Sequence, residues 1–301
     1  MVVTARLADA LGVKNAWEIH VRLAVHVTAM NRPGTLLQTL RAAVETAAFG
    51  AETGLTVVDN GSTDVATQAL LNELESTGVR VIRNATNCGL SRAVNQGLEA
   101  GRTDDAGVLV HLDDDALIRT PEWDVILASY FKHPRVGMVV TNPAGVGIPK
   151  GPNGHPAGVM DALISNLAND DPVGPPYREV SWGLGMCWAL RREVYEHIGG
   201  YDPQLMHQNE CDLALRVRLA GYEVAGIDTV DVFHNDPGGP RSDLSLAREH
   251  LGVVQFRDKW TAYFQGAHWN YGVMPLSLMP HWPPDQDLFR RYAEYHGVDL
   301  N

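Results

Sequence analysis

The sequence predicts an α/β fold, a mostly parallel sheet flanked by helices, with a helical extension at the C-terminal end. Three observations carry this expectation. Short apolar runs alternate with segments of helical period from residue 22 onward, the turns between them are short and polar, and no internal repeat breaks the alternation. Such alternation builds right-handed strand–helix–strand crossovers. In the resulting sheets ligands bind beyond the carboxyl ends of the strands.

Leu23 to Thr28 reads as the first strand, leading into Ala29-Met30-Asn31-Arg32. Pro33 suits the first turn of a helix, and Leu36, Leu37, Leu40, Val44 and Ala47 then recur at helical spacing. A second strand, Leu55 to Val58, runs into Asp59-Asn60-Gly61-Ser62-Thr63-Asp64, where Asp64 is placed to cap a helix carrying Leu70, Leu71 and Leu74. The third strand, Val79 to Arg83, precedes Asn84 to Leu90 and a helix through Ala93, Val94 and Leu98 that stops near Gly101. The fourth strand, Val108 to Leu112, ends in Asp113-Asp114-Asp115. A helix is expected from near Pro121 and a strand over Gly137 to Thr141.

Residues 142–176 are rich in Gly, Pro, Asn and Asp, with one short helical candidate at Met160 to Leu167. A long irregular segment inside a domain is usually a functional lid or an insertion. Order resumes over Val180 to Leu190, then a helix from Arg192 to Ile198 and another opening at Asn209-Glu210-Cys211-Asp212 and closing at Gly221. A strand around Tyr222 to Ile227 and a separate one ending at His234 complete the core, before a helix near Ser245 to Trp260. The boundaries are an N-terminal extension 1–21, a domain 22–240 divided at 116/117, and an extension 241–301.

Composition narrows the function. Of 301 residues, 45% are hydrophobic and 20% charged, ordinary for a globular protein. A net charge of −12 lacks the basic footprint of a nucleic-acid binder. No run approaches the ~18 apolar residues of a membrane span, and Met1 to His20 has no secretory pattern. Cys88, Cys187 and Cys211 are too few and scattered for a disulfide framework, so a cytoplasmic location with reduced thiols is expected.

The chemistry concentrates where strands end. Asn31, Asp59, Asn87 and Asp113 each follow a strand and should converge on one rim. Three adjacent carboxylates at Asp113–Asp115 repel one another, and a hard cation such as Mg²⁺ or Mn²⁺, shared with a substrate phosphate, is their natural partner. The plainer alternative is a solvated acidic turn.

Taken in order, Thr28 to Arg32, Val57 to Asp64, Asn87 to Gly97, Leu112 to Asp115, Gly199 to Asp202, Asn209 to Leu213 and Phe233 to Asn235 resemble the inverting family 2 of the GT-A glycosyltransferases. The resemblance spans roughly residues 23 to 236. It implies a nucleotide-sugar-binding half, 22–116, with Thr28, Ala29, Asn31, Arg32, Asp59, Asn87, Gly89, Ser91, Asn95, Asp113 and Asp114 at the donor, and an acceptor half, 117–240. It further implies Asp115 as the metal ligand, joined by His234 and with Asp113 touching ribose or metal. Asp59 could accept the imide N–H of uracil or thymine, which cytosine does not offer, so a UDP- or dTDP-sugar is favoured.

Relatives carry Glu-Asp-x-Asp where this chain has Asn209-Glu210-Cys211-Asp212, which puts Glu210 at the position of the catalytic base and leaves Asp212 as the alternative. Trp182 and Gly183 would border the acceptor, since indole faces stack on sugar rings. The Gln-x-x-Arg-Trp signature of processive synthases is absent, which favours transfer of single sugars to a glycan, lipid-linked, protein or small-molecule hydroxyl. Two other readings stay open: a nucleotidyltransferase, for which Ala29 to Gly34 is a poor triphosphate loop, and a non-catalytic nucleotide-sugar or glycan-binding module.

Overall fold

The structure is a computed structural model describing residues 22–48, 54–143, 175, 177–179, 183, 185–235, 251–256 and 258–260. Nine strands form one sheet: β1 (Leu23–Ala29), β2 (Gly54–Asp59), β3 (Arg80–Arg83), β4 (Val108–Asp113), β5 (Ala116–Ile118), β6 (Val136–Pro143), β7 (Arg178–Glu179), β8 (Cys187–Arg191) and β9 (Glu223–His234). Among the described residues these helices pack on it: α1 (Pro33–Thr46), α2 (Val65–Ser76), α3 (Leu90–Thr103), α4 (Trp123–Tyr130), α5 (Arg192–Ile198) and α6 (Asn209–Leu219). Residues 251–256 are also helical. The helix expected at Met160 to Leu167, Trp182 and most of the segment 142–176 lie outside the described residues, as do the two chain ends.

The strand order is β3-β2-β1-β4-β8-β6-β9-β5, with β7 beside β9. The first four strands are parallel, as their alternation with helices requires. Beyond β4 the pairing is mixed: β8 is antiparallel to β4 and β6, and β5 to β9, while β6 and β9 run parallel. The two strands expected between Tyr222 and His234 are a single one, β9. Asp228 and Thr229 interrupt the apolar run and are exposed, yet the backbone stays extended through them.

Side-chain alternation divides the core into two layers. Leu23, Val25 and Val27 of β1 and Val108, Val110 and Leu112 of β4 face α1, α2 and α4. Ala24 and Leu109 face the opposite side, with Val94 and Leu98 of α3, Val194 of α5 and Leu213 and Val217 of α6. Pro33 opens α1, and the Asp64 carboxylate caps α2 by accepting from Thr67 N at 2.8 Å. Among the described residues, no helix is long and apolar enough to cross a membrane.

Candidate active site

The site is built at the carboxyl ends of β1, β2 and β4. Asn31 adopts φ 54°, a left-handed conformation that asparagine tolerates better than most residues. Its Oδ1 accepts from Thr63 N at 2.8 Å and Asp64 N at 2.9 Å, and its own N–H donates to Ser62 Oγ at 3.0 Å. Asn31 thereby clamps the turn after β2. Asp59, buried in that turn, accepts from Ser62 N at 2.9 Å and Gln68 Nε2 at 3.3 Å. The turn is braced against the loop after β3 by Asn60, whose Oδ1 accepts from Cys88 N at 3.0 Å and whose Nδ2 donates to Asn87 Oδ1 at 3.1 Å. Asn87 Oδ1 also takes the Gly89 N–H at 2.8 Å, and Gly89, at φ 88°, occupies a conformation suited to glycine before α3 begins.

Two further positions assigned to the donor make bonds within the protein. Ser91 Oγ donates to Asn209 Oδ1 at 2.9 Å, and Asn95 exchanges bonds with the Tyr201 backbone, accepting from N at 2.7 Å and donating to O at 2.8 Å. Both tie α3 to the segment leading into α6. Thr28 Oγ1, next to Asp113 in the β1–β4 register, is buried with no hydrogen-bond partner among the described residues. Ala29 is buried, and its carbonyl accepts from Asn60 N at 2.9 Å.

The three aspartates point to different partners. Asp113 Oδ1 lies 3.1 Å from His111 Nε2. Asp114 Oδ1 and Asp115 Oδ2 share one guanidinium, Arg32, at 2.9 and 2.7 Å. Asp115 Oδ1 lies 3.2 Å from His234 Nε2, which the β5–β9 ladder brings alongside by pairing Ala116 with His234. Asn235 N donates to the Asp115 carbonyl at 2.8 Å and fixes that return. Burial pushes Asp114 up to about 7 against the opposing pull of Arg32, with the neighbouring aspartates adding to the rise. Burial acts the same way on Asp115, but hydrogen bonds from His234 and Arg32 outweigh it and hold this carboxyl below its ordinary value. Asp114 and Asp115 are thus shifted in opposite directions, with Asp115 held as the anion.

Among the described residues, no three His, Cys, Asp or Glu side chains form a self-sufficient cation site. Asp115 and His234 nevertheless converge as an oxygen and a nitrogen donor, a set that suits Mn²⁺ or Mg²⁺ when phosphate and water complete the shell.

The second half brings α6 to the rim. Glu210 Oε1 accepts from Tyr201 OH at 3.2 Å, and Oε2 has no partner among the described residues. Gly185 makes room for this side chain: a Cβ there would lie 2.2 Å from Glu210 Oε1. Asp212, two residues on, is fully buried and fully engaged. Its Oδ2 accepts from Arg216 Nε at 2.8 Å, and its Oδ1 from Lys259 Nζ at 2.7 Å and Trp260 Nε1 at 3.0 Å. Asp212 therefore anchors the C-terminal helical residues onto α6. Replacing Asp212 by Leu is expected to destabilise the fold by about 3 kcal/mol, because it takes the buried carboxylate from Arg216 and leaves Lys259 with Asp202 alone. Chemical denaturation would show this as a lowered midpoint. Gly183 is buried against β6, where a Cβ would lie 2.5 Å from Val140 Cβ.

Sequence reasoning did not find His26, His111, Trp188 or Tyr201, the buried rings beneath this rim. The available signal was a histidine inside each of two buried apolar strands, at His26 and His111.

Comparison with known proteins agrees with this layout. The profile described as Glycosyl transferase family 2 matches residues 24–199, more than half the chain. That span includes Asp59 and Asp113–Asp115 and stops short of Glu210 and His234. The N-acetylglucosaminyl-diphospho-decaprenol L-rhamnosyltransferase of Mycobacterium tuberculosis is 27% identical over 230 residues, 66% of this chain and 73% of its own length. The O-antigen chain rhamnosyltransferase RfbN of Salmonella typhimurium is 23% identical over 262 residues, 82% of this chain and 79% of its own. Among solved structures, the mannosyltransferase PcManGT from Pyrobaculum calidifontis in complex with GDP-Man and Mn²⁺ aligns with TM-score 0.58 at 17% identity, covering 86% of this chain and 74% of that one. GalNAc-T7 with UDP, GalNAc and Mn²⁺ aligns with TM-score 0.62 at 15% identity, covering 94% and 55%. An acidic strand end on a GT-A sheet, with the family profile running through it, makes this chain a glycosyltransferase that belongs to glycosyl transferase family 2.

Proposed function

We propose that the protein transfers a single sugar, with inversion and with a divalent cation, from a nucleoside-diphosphate sugar to an acceptor hydroxyl. The observation that supports this best is the convergence of Asp115 and His234 from distant parts of the sequence onto a 3.2 Å contact. Asp115 and His234 would hold the cation, with Asp113 beside them. When bound, such a cation neutralises charge developing on the departing diphosphate.

Asp59 and its braced turn form the nucleoside end, and a UDP- or dTDP-sugar is the donor this reading favours. Replacing Asp59 by Ala is expected to weaken binding of either diphosphate by about tenfold, through loss of a charge-assisted hydrogen bond. Calorimetry that finds CDP binding the unaltered protein as tightly as UDP and dTDP would remove the base-reading role.

Inverting transfer is one displacement, so a single carboxylate takes the acceptor proton. Glu210 suits that role because Oε2 is unengaged, whereas every oxygen of Asp212 is capped by a cation or an indole N–H. The rhamnosyltransferase relatives support a deoxyhexose donor and a lipid-linked or O-antigen glycan acceptor.

The direct test is a panel of UDP-, dTDP-, GDP- and CDP-sugars, including nucleoside-diphosphate rhamnose, assayed for hydrolysis and transfer with Mn²⁺, Mg²⁺ or EDTA. Release of UDP or dTDP that needs the cation is the expected result. Cleavage of nucleoside triphosphates alone would favour a nucleotidyltransferase, and diphosphate binding without turnover a binding module.

A further inference from the structure

Beneath the rim lies a set of buried rings that the proposed chemistry does not use. β1, β4 and β8 are neighbours, and their registers pair His26 with His111 and His111 with Trp188. Paired positions on adjacent strands stand on the same face, so the three rings form a row across the sheet. Ring centroids are 4.9 Å apart for His26–His111 and 5.2 Å for His111–Trp188. Tyr201 closes the group from the loop before α6, 5.4 Å from Trp188 and 6.4 Å from His111. All four are at most 2% exposed. Gly97 of α3 lies against the first ring, where a Cβ would stand 2.3 Å from His26 Cδ2, so the position has room for the ring only because it is glycine.

The polar atoms of the group are ordered as well. A carboxylate only accepts, so His111 Nε2 carries the proton that faces Asp113 Oδ1 at 3.1 Å. The other nitrogen, Nδ1, is held by His26 Nε2 at 3.0 Å, which keeps the His111 ring from flipping. An indole N–H only donates, so Trp188 Nε1 donates to Tyr201 OH at 2.8 Å and leaves the phenol hydrogen for Glu210 Oε1 at 3.2 Å. One interlocked cluster therefore directs one N–H at Asp113, on the donor side, and one O–H at Glu210, on the acceptor side.

We propose that this cluster is a positioning element that sets the two carboxylates relative to one another, with His111 the positioning residue for Asp113 and Tyr201 that for Glu210. The inference rests on the roles proposed for Asp113 and Glu210. The geometric need is plain: the Asp113 side chain is 36% exposed at a strand end, and Glu210 is held by one hydrogen bond. Small misplacements of reacting groups cost large factors in rate. Aliphatic side chains at 26 and 111 would fill the same layer without burying four ring nitrogens, so packing alone does not call for histidine.

Conservative and non-conservative variants separate positioning from packing. His111→Gln places an amide N–H close to the position of Nε2, and its kcat/KM should stay within about threefold of the unaltered protein, whereas His111→Leu should lose about tenfold or more, mainly through a higher donor KM. Tyr201→Phe keeps the ring and removes the hydroxyl, so kcat should fall about tenfold with donor KM within about twofold. Thermal midpoints are recorded alongside to confirm that each variant folds. If His111→Leu and Tyr201→Phe fold and keep the original rates, or if His111→Gln folds but behaves like Leu, the cluster is packing only.

A second arm needs no turnover. In the ligand-free protein labelled with ¹⁵N-histidine, His111 should show a protonated Nε2, and His26→Leu should release that ring to exchange. A His111 protonated on Nδ1 alone overturns the proposal. If no nucleotide sugar is turned over by the unaltered protein, the function reading fails by itself and the ring spectra still decide this one.

Discussion

Glu210→Gln is expected to lower kcat by about 10²–10⁴ while the donor Kd stays within about twofold, the range typical of losing a general base. The carboxylate sits in the first turn of α6, facing the loop that carries Tyr201. Glutamine keeps the length and the Oε1 that accepts from Tyr201, so packing against Gly185 survives and only the basic oxygen is removed. Donor binding should be spared, since the proposed reading holds the nucleotide elsewhere, at Asp59 and Asp115. Single-turnover rates and calorimetric Kd values on one preparation separate the two quantities. A variant that turns over normally, beside an Asp212→Asn that folds but is dead, would move the base to Asp212.

Asp115→Asn is expected to lower metal-dependent transfer on the order of 10³-fold, the equivalent of several kcal/mol of lost leaving-group stabilisation. The substitution keeps shape and can still accept from Arg32, but it removes the charge that His234 and Arg32 hold in place. Mn²⁺ affinity measured by calorimetry in the presence of the diphosphate should fall in step with rate. The thermal midpoint should change far less. Activity that survives both this substitution and EDTA would eliminate the metal role.

The parallel half was legible because β1, β2 and β3 are each followed by a helix and β4 is a further, largely apolar run, so Asn31, Asp59 and Asp113 could be placed at strand ends from spacing alone. The other half was less so. β5 has three residues and no period to detect, yet it delivers His234 to Asp115. β9 was expected as two strands, around Tyr222 to Ile227 and ending at His234, because Asp228 and Thr229 interrupt the apolar run, although ladder pairing on either side keeps it extended. At Asp212 the sequence shows only an acid near a helix start. Its ion pair with Lys259 and the hydrogen bond it accepts from Trp260 depend on how the chain returns, which local pattern does not encode. The histidine row is hidden for the same reason: His26 and His111 become neighbours only through strand register.

The clasp between β5 and β9 also orders the birth of the molecule. The strands β1 to β4 pair with one another within residues 23–113, although β1 and β4 are far apart in that stretch. Asp115 waits for a strand that is translated much later, and Asn235 then reaches Gln38 across 197 positions to close the loop. A chain that stops short of β9 lacks the Asp115–His234 pair whatever the state of its first strands. On the proposed chemistry, completion of the cation site is therefore tied to the last strand of the sheet to be made.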